Sequence, residues 1–186
     1  MSILTSLRIE GYVILSADGM LADATGVMPP QLKFKGDQQF FTDALDHADL
    51  VVHGRNSGEE QPNSPKRKRI ILTRTIEALA EHASNPNAIS WNPAGASFAD
   101  ACRRIGVETG TAAIIGGPNV FALFLDRFDT FWLSRAPHVM LPDGEPGLPG
   151  IPTRTPEAVL TAHGLTPGET RVLDAAHDVT VTPWRR

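Results

Sequence analysis

Polar and apolar positions alternate over Leu7-Arg8-Ile9-Glu10-Gly11, and the chain then turns continuously apolar through Tyr12-Val13-Ile14-Leu15. That pattern predicts a strand entering the middle of a sheet. Ser16-Ala17-Asp18-Gly19 stops it as a turn, and residues 20–36, broken by Pro29-Pro30, read as a long loop. Phe40, Phe41, Ala44 and Leu45 fall at helical spacing behind Asp37, which stands where it would cap or open that helix. Buried strands follow at Leu50–Val52 and Ile70–Thr73, with helices at about 75–83 and 97–105 on either side of a strand at Ala88–Trp91. Thr111–Ile115 is a further strand, broken by Gly116-Gly117. Val120, Phe121, Phe124 and Leu125 mark a helix face behind it. Beyond residue 125 the pattern predicts strands only: Thr130–Leu133, an irregular connection over 138–156, and an antiparallel pair at Arg171–Leu173 and Val179–Thr182. The sum is an α/β fold with a mostly parallel central sheet and an antiparallel C-terminal edge, read as a single domain over residues 1–186.

Composition narrows the chemistry. The 186 residues are 41% hydrophobic and 20% charged, a mixture that can close a core and is not that of a disordered chain. Seventeen basic against 21 acidic residues leave a net charge of −4, which disfavours a nucleic-acid partner. A single cysteine, Cys102, excludes a disulfide framework, and its helical neighbours Phe98, Ala101 and Ile105 predict a buried, inert thiol. No apolar run reaches the roughly 20 residues that span a bilayer. Met1–Glu10 carries no signal pattern, so a cytoplasmic location with no membrane partner is expected. The six histidines never fall at close ligand spacing, so no metal is expected.

The remaining signal lies at strand ends. Leu50–Val52 runs into His53-Gly54-Arg55-Asn56-Ser57, Ile70–Leu72 into Thr73-Arg74-Thr75, and Thr111–Ile115 into Gly116-Gly117-Pro118-Asn119 and a helix. In a parallel sheet such ends share one edge, where open α/β folds bind ligands. Glycine lets a phosphate approach the backbone, and arginine offers a planar donor fork. Together the three ends suit a phosphorylated dinucleotide.

His53-Gly54-Arg55, Ile71-Leu72-Thr73-Arg74 and Ile115-Gly116-Gly117-Pro118-Asn119-Val120-Phe121 resemble the three cofactor segments of the dihydrofolate reductase superfamily. Ser16-Ala17-Asp18-Gly19-Met20-Leu21-Ala22, Ala48–Arg55 and Ala136-Pro137 resemble its riboflavin-pathway branch, the reductase domain of the bacterial deaminase-reductase. The resemblance runs over roughly residues 5–183. It implies a dihydrofolate-reductase-like three-layer fold and NADPH as the cofactor. Hydride would pass to a pteridine, pyrimidine or related small heterocycle, as in the riboflavin-pathway 5-amino-6-(5-phosphoribosylamino)uracil reductase. Carried over, Gly54, Arg55, Asn56 and Ser57 meet the pyrophosphate, and Thr73 and Arg74 hold the 2′-phosphate. Gly116, Gly117, Pro118, Asn119, Val120 and Phe121 line the cofactor's middle and nicotinamide half. Ala17, Asp18 and Gly19 sit beside nicotinamide and substrate, and Ser16, Asp18 and Ser134 are candidate substrate contacts. The resemblance also implies a homodimer through the C-terminal strands.

Asp37-Gln38-Gln39-Phe40-Phe41 matches the folate branch's Asp-x-x-aromatic-Phe spacing. Asp37 therefore reads either as a catalytic acid relaying a proton through water or as a helix cap. Asp18 reads either as a second catalytic candidate or as a turn residue. Lys66-Arg67-Lys68-Arg69 is either a solvated loop or a run near the 2′-phosphate end of the cofactor. Phe121, Phe124, Phe128, Phe131 and Trp132 read as core or as a subunit contact. Two further functions stay open, an authentic dihydrofolate reductase and a non-catalytic nucleotide-binding protein.

Overall fold

The structure, a computed structural model, describes residues 6–186. Met1–Thr5, part of the segment searched for a signal pattern, lie outside the described residues. One twisted sheet carries the chain. Its centre is six parallel strands in the order β8 (Thr130–Ala136), β1 (Leu7–Ser16), β7 (Gly110–Ile114), β3 (Leu50–Gly54), β4 (Arg69–Leu72) and β6 (Ala88–Trp91). Beyond β8 lies the antiparallel edge expected from the C-terminal sequence. There β12 (Val179–Arg185) pairs with β8 and carries β10 (Thr166–Pro167) and β11 (Arg171–Asp174) along its outer side. A two-stranded ribbon of β2 (Met20–Ala22) and β9 (Glu145–Pro146) ties together two stretches read from sequence as irregular.

Alternation along the strands sorts the two faces. Leu7, Ile9, Leu15, Phe131 and Leu133 enter the larger core, under α2 (Phe98–Ile105), α3 (Pro118–Phe124) and α4 (Pro156–Ala162). Gly11 belongs to this face because a Cβ there would lie 2.5 Å from the Phe131 ring. Tyr12, Val51, Ala113 and Trp132 form a smaller cluster on the opposite face, with Phe40, Phe41, Ala44 and Leu45 of α1 (Lys35–His47). The face predicted for α1 is therefore the one it buries. α2 opens on a reciprocal cap, with Ser97 accepting from the Asp100 amide and Asp100 from the Ser97 amide, and ends on left-handed Gly106.

Two expectations are corrected. The helix expected at about 75–83 is a turn followed by β5 (Leu79–Glu81), antiparallel to β6, so the sheet has an antiparallel strand at both edges. The Ala-, Leu- and Glu-rich composition favours a helix, but tertiary pairing overrides it. Asn92 donates its side-chain amide to the Ile76 carbonyl and its backbone amide to the Ala78 carbonyl, and Leu79 pairs with Trp91. The C-terminal third also contains a helix where only strands were expected. Pro156 starts α4 at a position where its missing N–H costs nothing, and Thr155 caps the Ala158 amide.

Candidate functional site

A cavity of about 420 Å³ opens on the α1 face, over the carboxyl-terminal halves of β1, β7 and β8. Its floor comes from Tyr12, Ile14, Trp132 and Ser134, which the strand period turns toward α1. Asp37, Phe40 and Phe41 form one wall, and Ser57–Gln61 form the facing wall. At the strand edge the cavity is bounded by Ile115, Gly116, Gly117 and Phe121.

Asp37 does not cap its helix. The cap position is Phe34, which offers no side-chain hydrogen bond, and Asp37 sits in the first turn, 8% exposed. Burial pushes its carboxyl up to about 6, although the Ser134 hydroxyl donates to it and pulls the other way. No salt bridge neutralises this acid among the described residues. It is a carboxylic acid that can hold or release a proton near neutral pH, facing a ring-lined cavity.

The facing wall is held differently. Glu59 accepts from Arg69 at 2.5 Å and Arg67 at 3.0 Å, and from the Ser64 hydroxyl and the Gln61 amide. Burial raises its carboxyl, but the Arg69 hydrogen bond, the Gln61 amide, the Ser64 hydroxyl and the Arg69 charge outweigh it and leave the group below its ordinary value. Arg67 also reaches Asp46 of α1 at 2.6 Å, and Arg69 meets Nε2 of His53 at 3.1 Å. His53 Nδ1 donates to the Gly54 carbonyl at 2.7 Å, so Nε2 is the acceptor for Arg69. Burial holds this imidazole below its ordinary pKa. The basic run is thus not solvated throughout: Arg67 and Arg69 turn inward at 7% and 5% exposure, while Lys66 and Lys68 stay outside.

The three strand-end segments do share one edge, and two of them touch. The Gly54 amide donates to the Gly116 carbonyl at 2.8 Å, a Cβ on Gly54 would meet Val120 at 3.5 Å, and one on Gly117 would meet Ser57 Oγ at 3.1 Å. Gly116 has φ +114° and packs under Phe121, and the Gly116–Gly117 bond is cis. Pro118 and Asn119 open α3 at this corner. Arg55 and Asn56 are exposed on the same edge, and Arg74 is exposed beyond β4. Thr73 donates its amide to the Trp91 carbonyl and bonds Thr75.

The corner after β1 is a compact knot. Ser16 Oγ donates to Asp18 at 2.5 Å and accepts from the Met20 amide, and the Asp18 carboxylate takes the Leu141 amide at 3.1 Å. Burial raises the Asp18 carboxyl, but the Ser16 hydroxyl, the Leu141 amide and the Arg135 charge bring it below its ordinary value. Neither Ser16 nor Asp18 lines the cavity, whereas Ser134 does. The Ala17 amide donates to the Val139 carbonyl at 2.7 Å. Arg135 donates to the Ser16 and Ala17 carbonyls and pairs with Glu157 of α4. Sequence reasoning passed over Arg135 and Glu59. The position of Arg135 within β8 could have flagged it, but its Ser16 and Ala17 partners lie 119 and 118 residues away.

Cys102 is buried and its thiol is pushed up to about 12 by burial, the inert thiol expected. No cluster of metal-ligating side chains occurs among the described residues, and no helix there is long and apolar enough to cross a membrane.

No protein-family model and no curated protein matches the chain. Solved structures do. A protein provisionally assigned to riboflavin biosynthesis, from Shewanella sp. PV-4, is 18% identical at TM-score 0.64, over 96% of this chain and 98% of its own. Dihydrofolate reductase from Enterococcus faecalis, solved with NADP(H) and RAB-propyl, is 17% identical at TM-score 0.67, over 96% of each chain. The Thermotoga maritima diaminohydroxyphosphoribosylaminopyrimidine deaminase/5-amino-6-(5-phosphoribosylamino)uracil reductase is 13% identical at TM-score 0.67. That match covers 97% of this chain and 56% of the larger bifunctional one. The fold is dihydrofolate-reductase-like, as the strand-end motifs led us to expect.

Proposed function

We propose that the chain is an NADPH-dependent reductase that transfers a hydride to a pteridine, pyrimidine or related small heterocycle. One observation carries this reading: the buried acid Asp37, without a cationic partner, faces a cavity whose far boundary is the Gly116–Gly117 corner. An acceptor ring in the cavity and a donor ring at the strand edge would share that boundary.

The residues at the edge suit the cofactor. Gly54, Gly116 and Gly117 leave backbone open where a side chain would press on Val120, Phe121 or Ser57. Arg55 after β3 and Arg74 after β4 stand exposed, as donors for pyrophosphate and 2′-phosphate. When bound, the nicotinamide supplies a hydride. Tyr12, Phe40 and Trp132 give the acceptor ring an apolar surface and exclude water. Asp37 holds the proton that the reduced ring needs and passes it on directly or through one water, with Ser134 orienting the carboxyl. Asp18, tied to Ser16 and Leu141, acts by shaping the corner beside Ala17.

Calorimetric titration with NADPH and then NADH tests the reading. One-to-one binding with a clear NADPH preference is expected. Arg74→Ala should weaken NADPH far more than NADH. Failure of both nucleotides to bind would overturn the assignment, and equal loss for both in Arg74→Ala would remove that residue's role.

A further inference from the structure

We propose that the cavity accepts a neutral or cationic heterocycle and discriminates against the same compound carrying a phosphate. This rests on the reductase reading and adds to it the charge class of the substrate.

The residues that line the cavity carry three carboxylates, Asp37, Glu59 and Glu60, and among the described residues one cation, the exposed Lys33. No arginine among the described residues lines it. Arg67 and Arg69 bond to residues of the Ser57–Gln61 wall, but both are buried and neither lines the cavity. Arg67 is held by Asp46, Glu59 and Gln61, and Arg69 by Glu59, Ser64 and His53. Their charges offset those of Glu59 and Asp46, and the terminal nitrogens that make these contacts are engaged; the Nε of Arg67 has no partner but is buried. Arg171 and Arg185 lie over Trp132, and Arg171 also lies over Phe40. Arg171 lines the adjoining groove of about 380 Å³, which shares Tyr12, Phe40 and Trp132 with the cavity; these rings form the wall between the two. Arg55 lies at the strand edge and does not line the cavity.

A phosphate brought into this space would lose water without gaining the paired donors that compensate it elsewhere, and it would face Asp37 and Glu60. A neutral or cationic ring system gains the aromatic surface and meets carboxylates of the favourable sign. The Thermotoga neighbour, by contrast, is named for reducing a phosphoribosylamino compound.

The test uses the full chain saturated with NADPH and two probes, 5-amino-6-(5-phosphoribosylamino)uracil and the same molecule without its phosphate, titrated by tryptophan fluorescence. The dephosphorylated probe is expected to bind at least about tenfold more tightly, and Glu60→Lys to narrow that ratio. Equal or tighter binding of the phosphorylated probe overturns the inference, as does a ratio that Glu60→Lys leaves unchanged or binding of neither probe. The underlying reading fails separately, in the preceding NADPH titration. NADPH binding together with preference for the phosphorylated probe would sink the charge inference alone.

Discussion

Asp37 and Glu59 face one cavity from opposite walls, and their surroundings differ in almost every respect. Glu59 sits in the connection between β3 and β4 and accepts from two buried arginines, a hydroxyl and a backbone amide. Those partners hold it ionised in spite of burial. Asp37 sits in the first turn of a helix among aromatic rings, with the Ser134 hydroxyl as its donor, and burial wins. The difference separates structure from chemistry. A carboxylate with matched partners fixes a loop, whereas one without a cation keeps a proton available near neutral pH.

The largest effect that would break this contrast is on turnover. On the proposed reductase reading, Asp37→Asn should lower kcat with a heterocyclic substrate by about 10²- to 10⁴-fold and leave the NADPH affinity from calorimetry unchanged. Retained activity would return Asp37 to a packing role. Glu59→Ala should instead act on the fold. It strands Arg67 and Arg69, and a loss of about 3–5 kcal/mol in chemical denaturation is expected. A loss under about 1 kcal/mol would mean that water takes over the network.

The two acids should also give opposite pH dependence of stability. The folded state binds the Asp37 proton more tightly than the unfolded state, so that contribution is complete below the ordinary aspartate value of 3.8 and is lost as pH rises through about 6. The stability of wild type relative to Asp37→Asn should therefore fall by about 2 kcal/mol between roughly pH 4.5 and 7.5. The Glu59 value is lowered on folding, so its contribution is present above 4.5 and disappears as pH falls through the folded value. Wild type should lose its advantage over Glu59→Gln only on that acid side. Denaturation curves at a series of pH values check both signs, and a shared sign would refute the contrast. The smallest expected effect is that of Ser134→Ala. Removing its hydrogen bond should move the alkaline limb of the kcat–pH profile, expected near pH 6, upward, and an unmoved limb would separate Ser134 from the acid.

Much of the frame was legible because strand and edge signals are local. Period-two alternation in β1 and the run Thr130–Leu133 marked strands, Gly116-Gly117 marked the corner, and the helical spacing of Phe40, Phe41, Ala44 and Leu45 marked the face of α1 that is buried. Residues 75–83 misled for the same reason. Their local composition favours a helix, and only Trp91 and Asn92, brought alongside by the sheet, hold the chain extended.

The site was legible in its parts and not in its company. Asp37 could be picked out by spacing, but that it is no cap depended on a helix start at Lys35, and its surroundings on Ser134, 97 residues away. Lys66–Arg69 is four basic residues in a row to a linear reading, yet the backbone entering β4 turns Arg67 and Arg69 inward and leaves Lys66 and Lys68 in water. By itself the sequence determined the repeating elements and the chemistry available at the strand ends, since both depend on neighbours a few residues apart. Only the tertiary structure decided which carboxylate met an arginine and which was buried without one, because charge and burial depend on groups that the sheet order brings together from distant parts of the chain.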